Sequence, residues 1–359
     1  LNAAMEDLGG HLDGYTTRDH SGYPVTVHPR HVGDAVDILG QMFGRPLFGD
    51  FDVEKRIILE EMLDALDDRG REIDLDTLAH RLHFRDHPLG QSIEGPRKNV
   101  RRFTEGDLER HRRRFYGASN LVLCFAGRID PAACVRAAKR AFGGFPPGRR
   151  SRDGRPPPRP QPGFRARNTD DPQTRLRLSF RGASDAHPDH PALSLLRRIL
   201  DGGLSARLPT EMVEKRGLAY EVGSDLVTYG DTGLLDFEIV VAHRKLPAAI
   251  ATLKDVLHEI RDHPPSPEEL DRVRARVAIG VDLGLDSATE MVQWFGVDHL
   301  FGRALGPEDR LARLTEVTPA DIQRVARAYL RGDRLTAVAV GGARPREIAA
   351  ARKRIAELA

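Results

Sequence analysis

Two glutamates in "FDVEKRIILEEM" (51–62), Glu54 and Glu61, stand seven residues apart in a stretch with helical periodicity. Seven residues is nearly two helical turns, so both carboxylates share a face and lie ~10 Å apart along the axis. One ion is not easily reached by both. Chemistry would divide them, one binding and one acting through its charge, and the plain alternative is a solvated helix face. Three imidazoles, His80, His83 and His87, recur at i, i+3 and i+7, a spacing that could bring them to one helix face. Pro88 disfavours helix at His87, and no metal is expected there. "GGLSAR" (202–207) is glycine-rich but lacks the Lys-Ser/Thr of a phosphate loop and reads as a helix-to-turn junction. Cys124 and Cys134, the two cysteines, exclude a disulfide framework or a cysteine-rich metal site.

Composition narrows the classes further. A length of 359 residues suits about two domains, and 40% hydrophobic content can build real cores. No apolar run approaches the ~18 residues of a membrane span. Formal charge is +2, and the arginine clusters "RKNVRRF" (97–103) and "RHRRRFY" (110–116) are interrupted by Glu105, Asp107 and Glu109. They decorate helix surfaces rather than form the concentrated basic face of a nucleic-acid binder. No signal or transit peptide is visible, and the compartment stays open between cytoplasm and periplasm for a soluble chain.

The elements that must hold these side chains occur twice. Thr104, Asp107, Phe115 and Gly127 lie on Thr318, Asp321, Tyr329 and Gly341 at one offset of 214 residues, that of Thr104 to Thr318. The same offset sets Val25–Val27 on Ile239–Val241 and Leu39, Met42 and Phe43 on Leu253, Val256 and Leu257. Each copy reads as a strand, an amphipathic helix, a second helix, a Thr-capped helix, a buried strand (120–127 in the first copy) and a closing helix. Helices grouped between strands without a βαβ rhythm indicate α+β. Residues 1–145 and 164–359 are expected as two homologous domains, each a mainly antiparallel sheet flanked by helices. The Pro/Arg-rich segment 146–163 would link them. The helix over 190–212 has its counterpart before Leu1, so the first copy is expected to lack its opening helix.

"MEDLGG" (5–10), "YTTRDHSGY" (15–23), "PLF" (46–48), "VEKRIILEEM" (53–62), "HPLGQSIEG" (87–95) and "KRGLAYEVGS" (215–224) together resemble the insulinase/pitrilysin family of inverted-zincin metallopeptidases, nearest its bacterial and mitochondrial-processing-peptidase branch. The resemblance covers essentially the whole chain, in the family's order. It implies a clam-like chamber of two α+β units closing around an extended peptide, and a zinc held by His-x-x-Glu-His plus a downstream glutamate. No His-x-x-Glu-His occurs in residues 1–359, and the family spacing puts it before Leu1. The family's E-x6-E pattern falls on Glu54 and Glu61. Glu61 is thereby the implied zinc ligand, and Glu54 an electrostatic support placed with the catalytic residues.

The resemblance also implies that the strand after Gly9-Gly10 pairs with substrate backbone, through Asp13, Gly14 and Tyr15. The family's Leu-Asn-Ala-Tyr-Thr is Leu12-Asp13-Gly14-Tyr15-Thr16 here, and Asp13 adds a charge that would disfavour acidic substrates. Tyr220 of "GLAY" is the implied catalytic partner of the substrate carbonyl. Its usual companion, an Arg seven residues earlier, is Val213 here, and Arg216, the substrate-binding candidate nearby, lies on the other side of the segment. The expected protein is a zinc-dependent metalloendopeptidase acting on extended peptides, as a homodimer or paired with a related chain. The alternative is a non-catalytic, peptide-binding subunit of such a pair. Neither nucleic acid nor a membrane span is expected.

Overall fold

The computed structural model describes residues 1–150, 157–303 and 305–358, so part of the expected 146–163 linker (151–156) lies outside the described residues. In chain order, α1 (Asn2–Glu6) leads into β1 (His11–Leu12), β2 (Tyr15–Thr16), β3 (Ser21–Gly22) and β4 (Val25–Thr26). Helices α2 (Val32–Gly44), α3 (Phe51–Glu61), α4 (Leu75–Phe84), α5 (Arg97–Arg102), α6 (Glu105–Phe115) and α7 (Pro131–Phe142) follow. Strands β5 (Gly163–Arg167) and β6 (Thr174–Gly182) precede α8 (His190–Asp201) and the short α9 (Arg207–Pro209). Then come β7 (Ala219–Thr228), β8 (Gly233–Val241), α10 (Leu246–Asp262), α11 (Pro267–Leu285), α12 (Ala288–Leu300), α13 (Pro307–Thr315), α14 (Pro319–Tyr329), β9 (Leu335–Gly341) and α15 (Pro345–Ala356). The mixture is α+β.

The repeat survives at element level. Helices α6 and α7 begin and end 214 residues before α14 and α15, as Glu105 precedes Pro319 and Pro131 precedes Pro345. Thr104 and Thr318 both close capping boxes, with Asp107 and Asp321 at the third helical position. Each such cap is worth ~1 kcal/mol. The residues gather into two compact units that interleave along the chain. One holds 1–60, 93–154 and 279–307; the other holds 61–92, 155–278 and 308–359.

The second unit is built on a five-stranded sheet of order β5-β9-β6-β8-β7, antiparallel except where β5 meets β9. Alternation along β6 divides its faces. Leu176, Leu178 and Phe180 stand opposite Ile239, Phe237 and Leu235 of β8 and join one apolar face. Helices α8, α10, α14 and α15 supply apolar residues to the same core, among them Leu193, Leu196, Leu253, Leu257, Ile322 and Ala351, all fully or almost fully buried. Phe180 and Phe237 meet edge to face with centroids 6.0 Å apart. Burying each such ring is worth ~2–3 kcal/mol.

The other face carries Arg175, Arg177 and Ser179 of β6 beside Val338 and Val340 of β9, and α4 lies on it. Asp74 caps α4 by accepting from Thr77 N at 2.7 Å. Leu75, Leu78 and Ala79 then cluster with Val338 and Val340. Between them runs a half-buried ionic set. Arg177 donates to Asp76 Oδ1 at 2.5 Å and to Glu238 Oε2 at 2.8 Å. Burial opposes the charged Arg177, but the carboxylates of Asp236, Glu238 and Asp76 outweigh it and raise its pKa. Asp236 is enclosed, its Oδ1 has no hydrogen-bond partner among the described residues, and burial pushes its carboxyl up to about 6 against the pull of Arg177 and His80. His83 is drawn the other way, to about 3, by burial and then by Arg181.

The first unit differs from expectation. Its strands form two-residue pairs, β1 with β4 and β2 with β3, and residues 121–126 adopt no strand. An extended segment becomes a strand only where a partner ladder exists, and none among the described residues reaches it. Cys124 is accordingly half-buried, not enclosed.

Asp236 and His83 tilt stability in opposite senses. A carboxyl raised in the folded state holds a proton that the unfolded chain has released, so its contribution is present below its ordinary pKa and lost as pH rises through about 6. His83, depressed, withdraws stability as pH falls below its ordinary 6.5 toward 3. Asp236→Asn is therefore expected to stabilise the fold by ~1–3 kcal/mol at pH 8 and by little at pH 4. Urea midpoints at the two pH values check this, and equal gains at both would refute it.

Candidate functional site

The opening hairpin is a two-stranded ribbon. His11 and Leu12 face Thr26 and Val25, and Tyr15 and Thr16 face Gly22 and Ser21. Between the two pairs, Asp13 N donates to Pro24 O at 3.2 Å, while Asp13 Oδ1 accepts from Gly14 N at 2.7 Å. The turn is closed by Thr17, whose hydroxyl meets His20 Nδ1 at 2.9 Å and whose N–H donates to His20 O at 2.8 Å. Tyr15 packs edge-on against His20 with centroids 5.7 Å apart, and burial raises its phenol pKa. Its ring lies across Gly22, where any Cβ would overlap it. Glycine is thus required by the tyrosine opposite. Gly10 is confined likewise by Val27 and the Thr26 carbonyl. Asp13 and Gly14 join β1 to β2, which Tyr15 opens, and the outer edges of both strands have no partner among the described residues.

Helix α3 carries Glu54 and Glu61, both exposed, on a helix with no buried residue. Its apolar residues Val53 and Ile57 are 44% and 45% exposed. Lys55 Nζ anchors the helix, donating to Phe103 O at 3.1 Å and standing 5.1 Å from the Phe51 ring centroid. Neither glutamate has a hydrogen bond or ion pair among the described residues. No group of three His, Cys, Asp or Glu able to hold a metal exists among those residues.

Tyr220 owes its position to a bulge. Ala219 of β7 pairs with Val241 and Glu221 with Val240, so Tyr220 is an extra residue without a partner. Bulges re-aim side chains at sheet edges. β7 is an edge strand, and Tyr220 is 79% exposed. Arg216, four residues earlier, turns to the helix side. It donates to Thr252 Oγ1 at 3.3 Å and to Glu211 Oε2 at 3.4 Å, and Glu211 is also paired with Lys215 at 2.7 Å. Val213, at the place where the resemblance leads one to look for a cation, is 37% exposed.

The three spaced histidines take separate partners. His80 Nε2 meets Tyr229 Oη at 2.8 Å, and His83 stands between Thr336 Oγ1 at 2.9 Å and Arg181 Nε at 3.0 Å. His87 accepts from Leu89 N at 3.3 Å. Sequence reading missed the ionic set around Arg177. The signal was present in "TRLRLSFRG" and "GLLDFEIVV", where charges alternate with apolar residues on both strands.

Comparison with known proteins accords with this architecture. A model described as insulinase (peptidase family M16) matches residues 1–97, and one described as the peptidase M16 inactive domain matches residues 102–277. The chain belongs to the insulinase family of peptidases. An uncharacterized zinc protease of Streptomyces coelicolor is 28% identical over 344 residues, 92% of this chain and 74% of that protein. The mitochondrial-processing peptidase subunit beta of Blastocladiella emersonii is 29% identical over 357 residues, 95% of this chain and 75% of that protein. The crystal structure of a protease from Helicobacter pylori superposes with a TM-score of 0.84 at 18% identity, covering 94% of this chain and 83% of its own. A peptidase M16 inactive domain from Pseudomonas fluorescens gives 0.85 at 21%, covering 96% and 84%. These two structures share the fold.

Because Tyr15 fills the space above Gly22, Gly22→Ala is expected to displace the ring and loosen the ribbon. Amide exchange at residues 15–16 and 21–22 should accelerate at least tenfold. Unchanged protection would mean that the ring does not lie there.

Proposed function

We propose that the chain forms the greater part of a zinc-dependent endopeptidase that takes its peptide in extended form. The observation that carries this is a set of strand edges without a partner among the described residues, those of β1 and β2 and that of β7, the last with Tyr220 extruded by a bulge. An extended peptide can join such an edge through main-chain hydrogen bonds. In this reading Asp13, Gly14 and Tyr15 bind substrate backbone, Tyr220 approaches the scissile carbonyl, and Arg216 is the cation nearest it in sequence. Glu61 is assigned as the carboxylate ligand and Glu54 as the charge behind it.

The residues present do not by themselves fit a zinc ion. Three protein ligands are the rule in catalytic sites, whereas no group of three His, Cys, Asp or Glu, Glu61 included, gathers among the described residues. No chemical step is therefore assigned through the metal. Residues 1–359, purified and supplied with zinc, are expected to bind an extended peptide without cleaving it, and Tyr220→Ala should weaken that binding several-fold. Zinc-dependent turnover abolished by Glu61→Gln would overturn the ligand count. Undiminished binding after Tyr220→Ala would overturn the role of the bulge.

Val213 favours a second reading, a peptide-binding subunit whose clamp is completed by a homodimeric partner or a related chain. Turnover gained only when a related chain bearing His-x-x-Glu-His is added would select it.

A further inference from the structure

We propose that the turn after α8 is a binding site for an oxyanion, a carboxylate or a phosphate, held by Arg198, Arg276 and the backbone of Gly203, Leu204 and Ser205. This does not rest on the peptidase reading.

Arg198 lies in the last turn of α8, and its Nε is shut off from solvent without a hydrogen-bond partner among the described residues. Burial lowers its pKa, and the like charges of Arg197 and Arg276 lower it further, with no carboxylate offsetting them. Arg197 is spent on Ser224 O at 3.0 Å. Asp201, the acid closest in sequence, is also committed, accepting from Ser224 N at 2.6 Å and Ser224 Oγ at 3.3 Å. Arg276 comes from α11, and its guanidinium rests so closely on Gly203 that a Cβ there would overlap it. Gly203 also has φ +140°, open to glycine and strained for other residues. The relative placement is fixed by Arg207, which clamps Glu269 of α11 at 2.9 and 2.6 Å.

The backbone adds to the deficit of negative charge. The N–H groups of Gly203, Leu204 and Ser205 meet no acceptor among the described residues, while Gly203 O receives Ala206 N at 2.9 Å. Favourable interaction with the C-terminal end of α8 accounts for Arg198 alone. It leaves unexplained why a second guanidinium, from another helix, is brought to a partly buried cation with no acid between them. The Arg276 fork resting on Gly203 beside free amides, with the charge of Arg198 acting on it from α8, matches the needs of carboxylate and phosphate oxygens.

Calorimetric titration of the full chain at constant ionic strength tests the site. The probes are inorganic phosphate, an acetylated dipeptide with a free C-terminus and the same dipeptide amidated. Saturable binding of phosphate or of the free acid, one per chain, is expected, with none for the amide. The Gly203 amide signal of glycine-labelled protein should move with saturation. Arg276→Gln should weaken binding at least tenfold, and Arg276→Lys less. Arg276 is exposed, so this variant is expected to fold even where Arg198→Gln does not. Phosphate alone would identify a phosphoryl ligand, and the free acid alone a peptide terminus. Absence of saturable binding, binding unchanged in Arg276→Gln, or an unmoved Gly203 signal would each overturn the proposal.

Discussion

The second unit depends on one cation. Arg177 stands at the centre of a sheet face that would otherwise hold Asp236, Glu238 and Asp76 in mutual repulsion. The pairs with Asp76 and Glu238 are partly open to solvent, so each contributes modestly by itself; losing Arg177 alone leaves the acids facing one another uncompensated, with enclosed Asp236 among them. Through Asp76 the same cation seats α4, and the packing of Leu75, Leu78 and Ala79 on Val338 and Val340 completes the contact. That coupling explains why residues 61–92 cluster with the unit of the sheet rather than with their neighbours in sequence. Charge fixes the register, and apolar burial supplies the free energy.

The duplicated elements show how far local sequence reaches. Capping boxes at Thr104 and Thr318 start helices at equivalent residues, and both helices run equally long. Their environments diverge. Ile322, Val325, Ala326 and Tyr329 of α14 are buried, and Tyr329 donates to Asp189 at the start of α8. Helix α6 buries none of its residues. Local signals thus set where a helix begins and ends, whereas burial depends on which element lies across from it. α8 has no equivalent in the first copy among the described residues, and strand formation at 121–126 fails where β9, its equivalent, succeeds between β5 and β6.

Much of this was legible in residue types and spacing: the repeat, the α+β class and the paired glutamates on one helix, while the family came from the resemblance of whole motifs. What escaped was whatever depends on two segments at once. His80, His83 and His87 share a spacing, yet each answers to a different partner, two of them far along the chain. The bulge at Tyr220 comes from a register mismatch with β8, which no run of ten residues in β7 discloses. Arg276 looks like any surface arginine of an amphipathic helix until Gly203 is seen beneath it. Periodicity reports the face a residue occupies, not the charge it will meet there.

Open strand edges invite unwanted pairing, and natural sheets commonly blunt them with charge, shortness or a bulge. β7 has a bulge at its start and exposed acids at Glu221 and Asp225, and the opening ribbon carries Asp13 beside its edge. The features that discourage indiscriminate pairing also set a preference. An acidic segment meets like charge at either edge, whereas a neutral or basic one meets none from these residues, and a gap of this kind costs several tenths of a kcal/mol per exposed pair. Main-chain pairing is blind to side chains, so under the peptide-binding reading discrimination falls to these acids and to Tyr220. Under that reading an edge protected by negative charge stays open to the neutral and basic peptides it would bind.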